Sequence, residues 1–566
     1  MKDILFSERF ANAEYIDKGW SKDKKYCVTD TDGIKYLLRI SLIERYEARK
    51  SLFKMLEQVS ALGIPMCKPV EFGTCDDGVY MLQSWIDGED LEVALPLFPE
   101  TEQYIMGLQS GEILKKMHTI PAPETQEEWE SHFNSKIDRI IEWYKGCGLN
   151  FNGDNFILDY IEKNRLLLKN RPQLFQHGDY HTGNMMLESG MLKIIDFDRY
   201  DFGDPWEEFN RIVFTAKISP HFTTGQLRGY FKGEPPDEFF KLLALYISVN
   251  TLAAIPWAIP YGQADVDIMM EQSQDVLSWF DNMQNTVPSW YLKDIYIQWI
   301  DCVPYKLKEP YDFSFINKYG RVFKVFDDQD SGNICFGTKN GEKRYFVKFA
   351  GAATARACVG IDEAQNNLKT AATAYWDLAH PNLIKIIHSE EIGGGFAVVY
   401  DWVEAECMGR MYPMTRQKFM QMPLKSRIKV FEEILAFHAY VADRGYVAVD
   451  FYDGSVMYDF INENTIICDI DFYVKAPYKN SMGRLWGSGR FMSPEEFSLG
   501  AEIDEVTNVY TMGATAFALF SDYDRTPEAW SLNKRLYNVV KKAVSDERDH
   551  RQQSIKALIN EWNMAL

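Results

Sequence analysis

The same order of predicted elements occurs twice along the 566 residues of this chain. Each half begins with two segments in which aromatic and β-branched residues alternate, as in strands. They are KKYCVTD and IKYLLRIS in the first half and NICFGTK and KRYFVKFAG in the second. A helical stretch, another strand and mainly helical sequence follow in each half. Because the halves agree in order and not in sequence, they predict a duplicated α+β architecture and not a short repeat.

The boundary between the halves is expected in a stretch that loses the helical rhythm, VPSWYLKDIYIQWIDCVPYKLKEPYDF. It carries three prolines and many aromatic residues, so a packed connector is favoured over a flexible tether. We therefore expect one domain over residues 1–287, a connector over 288–311 and a second domain over 312–566.

Composition restricts the class of protein. Apolar residues make up 46% and charged residues 25%, as is usual for soluble globular proteins. The net charge of −21 argues against nucleic-acid binding. It would attract a cationic substrate, although solubility is the simpler explanation for it. Nine cysteines without metal-ligand spacing favour a reduced, cytoplasmic setting. The apolar stretch Leu242–Tyr261 is expected to be a buried helix ending at Pro256, with no membrane contact.

A cluster of polar residues follows buried strands in the first half, in QHGDYHTGN and LKIIDFD. Asn184 follows Asp179 by five residues, and Asp196 follows it by 17. Phosphoryl transfer needs one carboxylate to orient the acceptor hydroxyl, and oxygen ligands that hold Mg²⁺ against the nucleotide. The alternative is an Asx-rich turn in which His177 and His181 are ordinary buried or capping residues.

These segments, with GDPWEEF at 203–209, resemble the aminoglycoside phosphotransferase family over about residues 1–287. The resemblance implies a two-lobed, protein-kinase-like fold that uses ATP and Mg²⁺ to phosphorylate a hydroxyl of a small molecule. It also implies that Asp179 is the catalytic base and that Asn184 and Asp196 bind the metal.

Two positions depart from the family pattern. The strand lysine is replaced by Arg39, which can bind phosphate oxygens through its fork of N–H groups. The usual helix glutamate falls on Leu52, so Glu47, about one turn earlier, is the candidate partner of Arg39. The turn over the phosphates is expected at residues 18–21, with Ser21 binding ATP, although an ordinary hairpin would also explain it.

In the second half, GNICFGTK has P-loop-like glycines, but its Thr and Lys are reversed and a strand follows where a helix is required. We instead expect a kinase phosphate loop at Ser331 and Gly332, with Lys348 as the strand lysine that binds ATP. The segments HPNLIKII, VVYDWVE, MSPEEF, DEVTNVYTMGATAF and DERDHRQQS resemble serine/threonine protein kinases over about residues 312–566. Arg551 is then a candidate partner of Glu495.

The candidate site residues of the second half match the protein-kinase pattern less completely. The resemblance implies Asp450 as the catalytic residue and Ser455 and Asp471 as metal ligands, with Asp469 as a rival of Asp471. The helix glutamate is replaced by Ala371. The domain could therefore be an active kinase or a kinase fold kept for binding or regulation.

The whole chain is thus expected to contain two tandem protein-kinase-like modules, each with a β-rich N-lobe and a mostly helical C-lobe. The first would phosphorylate a small polar acceptor, an aminoglycoside-like molecule or a metabolite. The second would act on protein Ser/Thr or regulate the first. The alternative is a nucleotide-binding scaffold without significant turnover. The acceptor pocket is expected after Asp204, with plausible lining by Trp257, Tyr261, Asp265 and Asp267.

Overall fold

The computed structural model describes residues 9–17, 23–76 and 78–566. The chain divides into two compact units, Met1–Lys293 and Asp294–Leu566. The predicted phosphate turn at 18–21, including Ser21, lies outside the described residues.

The first unit begins with a sheet and continues into a mainly helical region. Its strands are β1 Phe10–Tyr15, β2 Lys24–Asp30, β3 Lys35–Ser41, β4 Pro69–Cys75, β5 Gly78–Ser84, β6 Glu89–Asp90, β7 Leu174–Gln176, β8 Met185–Glu188, β9 Met191–Ile194 and β10 Asp201–Gly203. Its α-helices are Tyr46–Ala61, Leu91–Ala94, Glu100–Met117, Trp129–Gly146, Asp154–Asn164, Ile212–Ile218, Pro220–Phe231, Asp237–Ala258 and Gln263–Trp279.

The five-stranded sheet has the order β1-β2-β3-β5-β4, and all its neighbouring strands are antiparallel. Between β3 and β4, the helix Tyr46–Ala61 buries Leu52, Met55, Leu56 and Val59. This is the helical face that the sequence predicts, and burying each such side chain contributes about 1.5–3 kcal/mol. A smaller sheet, β6-β8-β9, then carries the loops of the candidate site.

The long apolar helix Asp237–Ala258 lies in the core of the helical region. Among the described residues, it is the one helical segment long and apolar enough to cross a membrane, and 72% of its apolar window is buried inside the protein. The predicted end at Pro256 is wrong, because the helix continues to Ala258 with Pro256 inside it. A proline near a helix end removes few backbone hydrogen bonds, so the last turn can still form.

The second unit has a similar series of elements. Its strands are β11 Tyr296–Ile300, β12 Val303–Leu307, β13 Arg321–Phe326, β14 Asn333–Asn340, β15 Lys343–Ala350, β16 Ile386–Ile392, β17 Gly395–Asp401, β18 Glu406–Cys407, β19 Tyr446–Val447, β20 Val456–Asp459, β21 Asn464–Ile467, β22 Val474–Lys475, β23 Tyr478–Lys479 and β24 Glu502–Ile503. Its α-helices are Ile361–Asp377, Pro413–Met420, Leu424–Asp443, Glu505–Ser521, Lys534–Ala543 and Ile555–Ala565.

The strand order of the second unit repeats that of the first. Its large sheet is β13-β14-β15-β17-β16, and its small sheet β18-β20-β21 corresponds to β6-β8-β9. The segment that resembles a P-loop is strand β14, as the order of its residues predicts. The hairpin β11–β12 falls within the expected connector, and its Tyr305 and Leu307 pack in the same core as Phe336 and Phe349 of the sheet.

Candidate active site

A tight loop after β7 carries the first group of candidate residues. Gly178 has φ +80°, and a Cβ there would lie 2.0 Å from the carbonyl oxygen of Arg199, so only glycine fits. The short turn Thr182–Asn184 follows, and the backbone N–H of Gly183 donates to Nδ1 of His181 at its start. Buried His177 contacts the carbonyl oxygen of Ile195 through Nε2 at 3.0 Å, which joins the loop to the end of β9.

The loop brings Asp179 and Asn184 together. Nδ2 of Asn184 donates to the backbone oxygen of Asp179 at 2.9 Å and to its Oδ2 at 3.2 Å. The N–H of Ile195 donates to the carbonyl oxygen of Asn184 at 3.0 Å, so the same turn is tied to the strand that leads to Asp196. All three residues from the first motif are therefore held by one set of adjoining backbone segments.

The other oxygen of Asp179 faces three basic side chains. Oδ1 lies 3.5 Å from Nε of Arg211, 3.7 Å from Nε2 of His181 and 4.0 Å from Nη1 of Arg199. Burial tends to raise the pKa of Asp179, but these three groups more than offset it and hold the pKa well below its ordinary value. The carboxylate is therefore ionised at neutral pH.

Asp196 occupies an unusual backbone conformation two residues after β9. Its φ is +61°, in the left-handed region that Asp tolerates better than most residues. Its side chain is 44% exposed, and its Oδ1 lies 3.7 Å from Nη1 of Arg39. The buried strand thus presents this carboxylate to open space.

Arg39 is held by a network that the sequence did not predict. Its Nη2 pairs with Asp23 at 3.3 Å and with Asp198, and Arg49 pairs with the same two carboxylates. The proposed pairing of Arg39 with Glu47 is absent, and Glu47 is exposed. Glu47 precedes Arg49 by two positions on the helix, a rotation of about 200° that turns it to the other face.

A cavity of about 610 Å³ lies beside these residues. Polar side chains border it at Arg39 of β3 and at Asn184, Asp196 and Asp198 of the later segments. Apolar side chains line much of the remainder, among them Leu37, Leu52, Met81, Ile86, Met186 and Ile195. The cavity therefore joins an apolar compartment to a charged one, as a nucleotide requires.

The donor set suits Mg²⁺. Because Nδ2 of Asn184 is used by Asp179, Oδ1 of Asn184 is directed elsewhere, and it accepts no hydrogen bond within the described residues. With the carboxylate of Asp196, it offers hard oxygen ligands at one end of the cavity. In the described part of the chain, no group of three or more His, Cys, Asp and Glu side chains could hold a metal ion. Mg²⁺ needs fewer protein ligands, because waters and phosphates complete its shell.

In the second unit, Asp469 and not Asp471 matches Asp196. Each of the matching pair follows its strand by two residues, with φ +61° at Asp196 and +57° at Asp469, and each side chain is 44% exposed. Asp471 instead matches Asp198, since it is nearly buried and pairs with the strand lysine. We therefore replace Asp471 by Asp469, the rival recognised in the sequence, as the candidate metal carboxylate. Ser455 matches Asn184, because the N–H of Cys468 donates to its carbonyl oxygen at 2.9 Å.

Lys348 is buried and pairs with both acidic residues, at 3.2 Å from Asp469 and 2.6 Å from Asp471. Burial tends to lower the pKa of Lys348, but the two carboxylates raise it above its ordinary value. Ala371 of the facing helix is fully buried and offers no charge. Gly332 does not border the cavity that contains Asp450, Asp469 and Asp471; a Cβ there would lie 2.9 Å from that of Ala364, so Gly332 permits close packing of the helix.

Asp450 lies in an acidic cavity of about 390 Å³, which Asp330, Asp469 and Asp471 also line. Burial, followed by the charges of these residues and of Glu496, raises the pKa of Asp450 to about 7. The carboxyl group therefore carries a proton over a wide range of pH in the absence of a cation.

The predicted contact between Glu495 and Arg551 is confirmed. The guanidinium donates to both carboxylate oxygens, at 2.7 and 3.0 Å, and the Arg551 side chain is fully buried. A planar fork on a carboxylate fixes orientation as well as distance. This pair anchors the segment after the second site to the end of the chain.

The expected acceptor residues lie at one end of the apolar helix. The rings of Trp257 and Tyr261 are 4.9 Å apart and partly exposed. On the next helix, Gln263–Trp279, Asp265 is partly buried and Asp267 is exposed. Their part in an acceptor pocket remains a prediction.

Sequence reasoning missed the basic groups of the first site. Arg49 was detectable, because it shares a helical face with buried Leu52 and Leu56, where a charge implies a buried partner. Arg199 and Arg211 gave no such signal, because each ends a short 3-10 helix that has no sequence periodicity, and they meet Asp179 only in the folded chain.

Residues 12–240 match the model of the phosphotransferase enzyme family. This range includes Arg39, Asp179, Asn184 and Asp196. No curated protein sequence matches the chain.

Several solved structures resemble part of the chain. A thermostable mutant of aminoglycoside phosphotransferase APH(4)-Ia, with ADP and hygromycin B, is 16% identical with a TM-score of 0.37, covering 47% of this chain and 94% of that one. A choline/ethanolamine kinase family protein from Mesorhizobium loti is 15% identical with a TM-score of 0.38, covering 50% and 94%. The amicoumacin kinase hAmiN, with AMP-PNP, Ca²⁺ and Ami, is 14% identical with a TM-score of 0.36, covering 49% and 90%.

Proposed function

We propose that the first unit transfers the γ-phosphoryl group of ATP to a hydroxyl of a small polar molecule. One observation carries the proposal: the carboxylate of Asp179 contacts the amide of Asn184, which borders the same cavity as Asp196 and Arg39. The match of residues 12–240 to a phosphotransferase family supports it.

Asp179 orients the acceptor hydroxyl and takes its proton. The acceptor oxygen bonds to the γ-phosphorus, the bond from that phosphorus to the β–γ bridging oxygen breaks, and ADP leaves. Because the transition state for such transfer is loose, positioning matters more than basicity. A carboxylate with a lowered pKa is therefore adequate for this role.

The remaining groups bind the nucleotide. Arg39 presents its fork to the phosphates, and Arg49 and Asp198 hold it in place. Asn184 and Asp196 would hold Mg²⁺, which when bound neutralises charge on the phosphates. The apolar compartment, with Leu37 and Met81 among its walls, suits the base.

Asp179→Asn in the full-length protein tests the assignment. We expect transfer to fall by a factor of about 10² to 10⁴, because the substitution removes the general base and keeps the shape. Transfer would be measured as ADP release and as gain of one phosphoryl group by aminoglycosides and hydroxyl-bearing metabolites. The thermal shift caused by Mg-ATP should persist.

The matched control is Asp450→Asn, which changes the equivalent position in the second unit. It should leave small-molecule transfer intact. If Asp450→Asn abolishes transfer and Asp179→Asn does not, turnover belongs to the second unit and the assignment fails.

For the whole chain, we propose modules at 1–287 and 312–566 with a connector at 288–311, in a cytoplasmic protein. The repeated strand order and the Glu495–Arg551 pair support a protein-kinase-like second module. It would act on protein Ser/Thr or regulate the first. The uncharged Ala371 in place of the usual helix glutamate supports the regulatory role, because Lys348 then lacks the helix partner that helps to order it in an active kinase. Phosphorylation of a generic Ser/Thr protein substrate, lost in Asp450→Asn, would instead show an active kinase.

A further inference from the structure

The side of Asp179 that faces an acceptor is positively charged. Oδ2 is used by Asn184, so an incoming hydroxyl must approach Oδ1, where Arg211 and Arg199 lie within 4.0 Å. The side chain of Asp179 is 20% exposed, which leaves this approach open.

Arg199 and Arg211 both lie beside the same carboxylate, that of Asp179. Neither guanidinium donates a hydrogen bond to any residue within 9–17, 23–76 and 78–566, and Nε of Arg211 is buried without a hydrogen-bond partner. Nearby carboxylates are occupied elsewhere: Glu208 accepts from backbone N–H groups at 177 and 178, and Asp204 pairs with Arg171. Within the described residues, the two guanidiniums therefore share Asp179 as their single ion-pair partner within 4.0 Å.

Such a pair of guanidiniums suits an oxyanion. Planar N–H forks bind carboxylate and phosphate groups in a bidentate manner, and buried donors without partners are costly unless a ligand supplies acceptors. A hydroxyl held at Asp179 brings substituents one or two bonds away within reach of both arginines. An ammonium group at the same place would be repelled.

We propose that the acceptor carries an oxyanion, a carboxylate or a phosphate, close to the hydroxyl that is phosphorylated, and that Arg211 and Arg199 bind it. The proposal rests on the proposed transfer function and names its substrate class. It differs from the cationic acceptor that the net charge of −21 suggests, because the local charge at Asp179 has the opposite sign.

Acceptors matched in shape and different in charge provide the test. With the full-length protein, Mg-ATP and each compound in turn, gluconate would be compared with sorbitol and glucosamine, and glycerol 3-phosphate with glycerol. Kanamycin would serve as a polycationic acceptor. We expect transfer to one or both oxyanions at the lowest KM, and the pair that responds distinguishes carboxylate from phosphate.

Variants then assign the effect to the arginines. Arg211→Met and Arg199→Gln should raise KM for the preferred oxyanion by at least about tenfold, the effect of one charge-assisted hydrogen bond, with a smaller change in kcat. Arg211→Lys should recover part of the loss, because it keeps the charge without the fork. Arg139→Gln removes an exposed arginine on the helix Trp129–Gly146 and should change nothing.

Binding without turnover separates the two proposals. Calorimetric titration of gluconate and glycerol 3-phosphate into the Mg-ADP complex should show binding that weakens in Arg211→Met. Oxyanion binding without any transfer would contradict the proposed function and leave the anion site standing. Preference for glucosamine or kanamycin, failure of every oxyanion to bind, or equal binding by wild type and Arg211→Met would overturn the anion site.

Discussion

The two units share a strand order but surround equivalent carboxylates with opposite charges. In the first, Asp179 lies among Arg211, Arg199 and His181, and its pKa is lowered. In the second, Asp450 lies among other carboxylates, and its pKa is raised to about 7. The same strand order therefore gives an ionised carboxylate at one site and a carboxyl group that titrates near neutral pH at the other.

The cavities beside the two candidate sites also differ in whether residues of the large sheet line them. The first reaches along the sheet, past Leu37 and Gln83, to the charged loops. The corresponding strand positions of the second are Phe346 and Tyr400, whose ring centroids are 6.2 Å apart. The 390 Å³ cavity of the second unit takes no lining residue from β15 or β17. Aromatic packing thus occupies the region where a base would lie, while the acidic end remains open.

The largest expected difference concerns the candidate metal carboxylates. Asp196→Asn should reduce small-molecule transfer by on the order of 100-fold or more, since even outer partners of metal ligands are worth 10 to 100-fold. Asp469→Asn should leave that transfer unchanged. Initial rates over a range of Mg²⁺ concentrations would measure both. Equal losses in the two variants would mean that the sites do not act separately.

A smaller effect is expected from exchanging the residue that borders the base region. Gln83→Tyr introduces into the first cavity the tyrosine that the second unit has at the equivalent position, Tyr400. Because the larger side chain fills part of the cavity, we expect ATP binding to weaken by about tenfold or more. Tyr400→Phe is the control, because it alters the second unit without opening it. Calorimetric titration of Mg-ATP would measure the affinities. Unchanged affinity in Gln83→Tyr would show that the base lies elsewhere.

The smallest effects concern stability and differ in sign between the units. Folded protein holds the proton of Asp450 up to pH about 7, whereas the unfolded chain releases it near pH 4, so this group reduces stability as pH rises between these values. Asp450→Asn should therefore raise Tm at pH 8 and raise it less at pH 5. An effect on the order of 1 kcal/mol corresponds to about 2–4 °C.

Asp179→Asn should lower Tm at pH 8. The lowered pKa of Asp179 means that its contribution is present above the unfolded pKa and is lost as pH falls. Differential scanning calorimetry in chelator-containing buffer would measure both variants. Shifts of the same sign at pH 8 would contradict the opposite charge environments.

The sequence predicted what local pattern determines. The alternation in KKYCVTD matches β2, Lys24–Asp30, and the apolar spacing of the helix Tyr46–Ala61 identified its buried face. The motifs correctly indicated that Asp179 lies beside Asn184 and that Asn184 and Asp196 border one cavity, although the roles of these residues remain proposals.

What the sequence could not predict depends on contacts between distant segments. Arg39 and Arg49 share the carboxylates of Asp23 and Asp198 only after separate segments of the chain pack together. The choice between Asp469 and Asp471 as the counterpart of Asp196 depends on which residue has a left-handed backbone angle. The sequence places the two residues only two positions apart and does not reveal that angle.

The glycine at 178 has a consequence for any attempt to convert one unit into the other. Its counterpart is Val449, which packs in an apolar cluster with Leu485 and Met492. The left-handed backbone angle falls instead on the next residue, Asp450, with φ +61°. Grafting arginines around Asp450 would therefore not recreate the first site, because the main chain under the carboxylate follows a different path. A functional graft would have to begin with the loop's backbone.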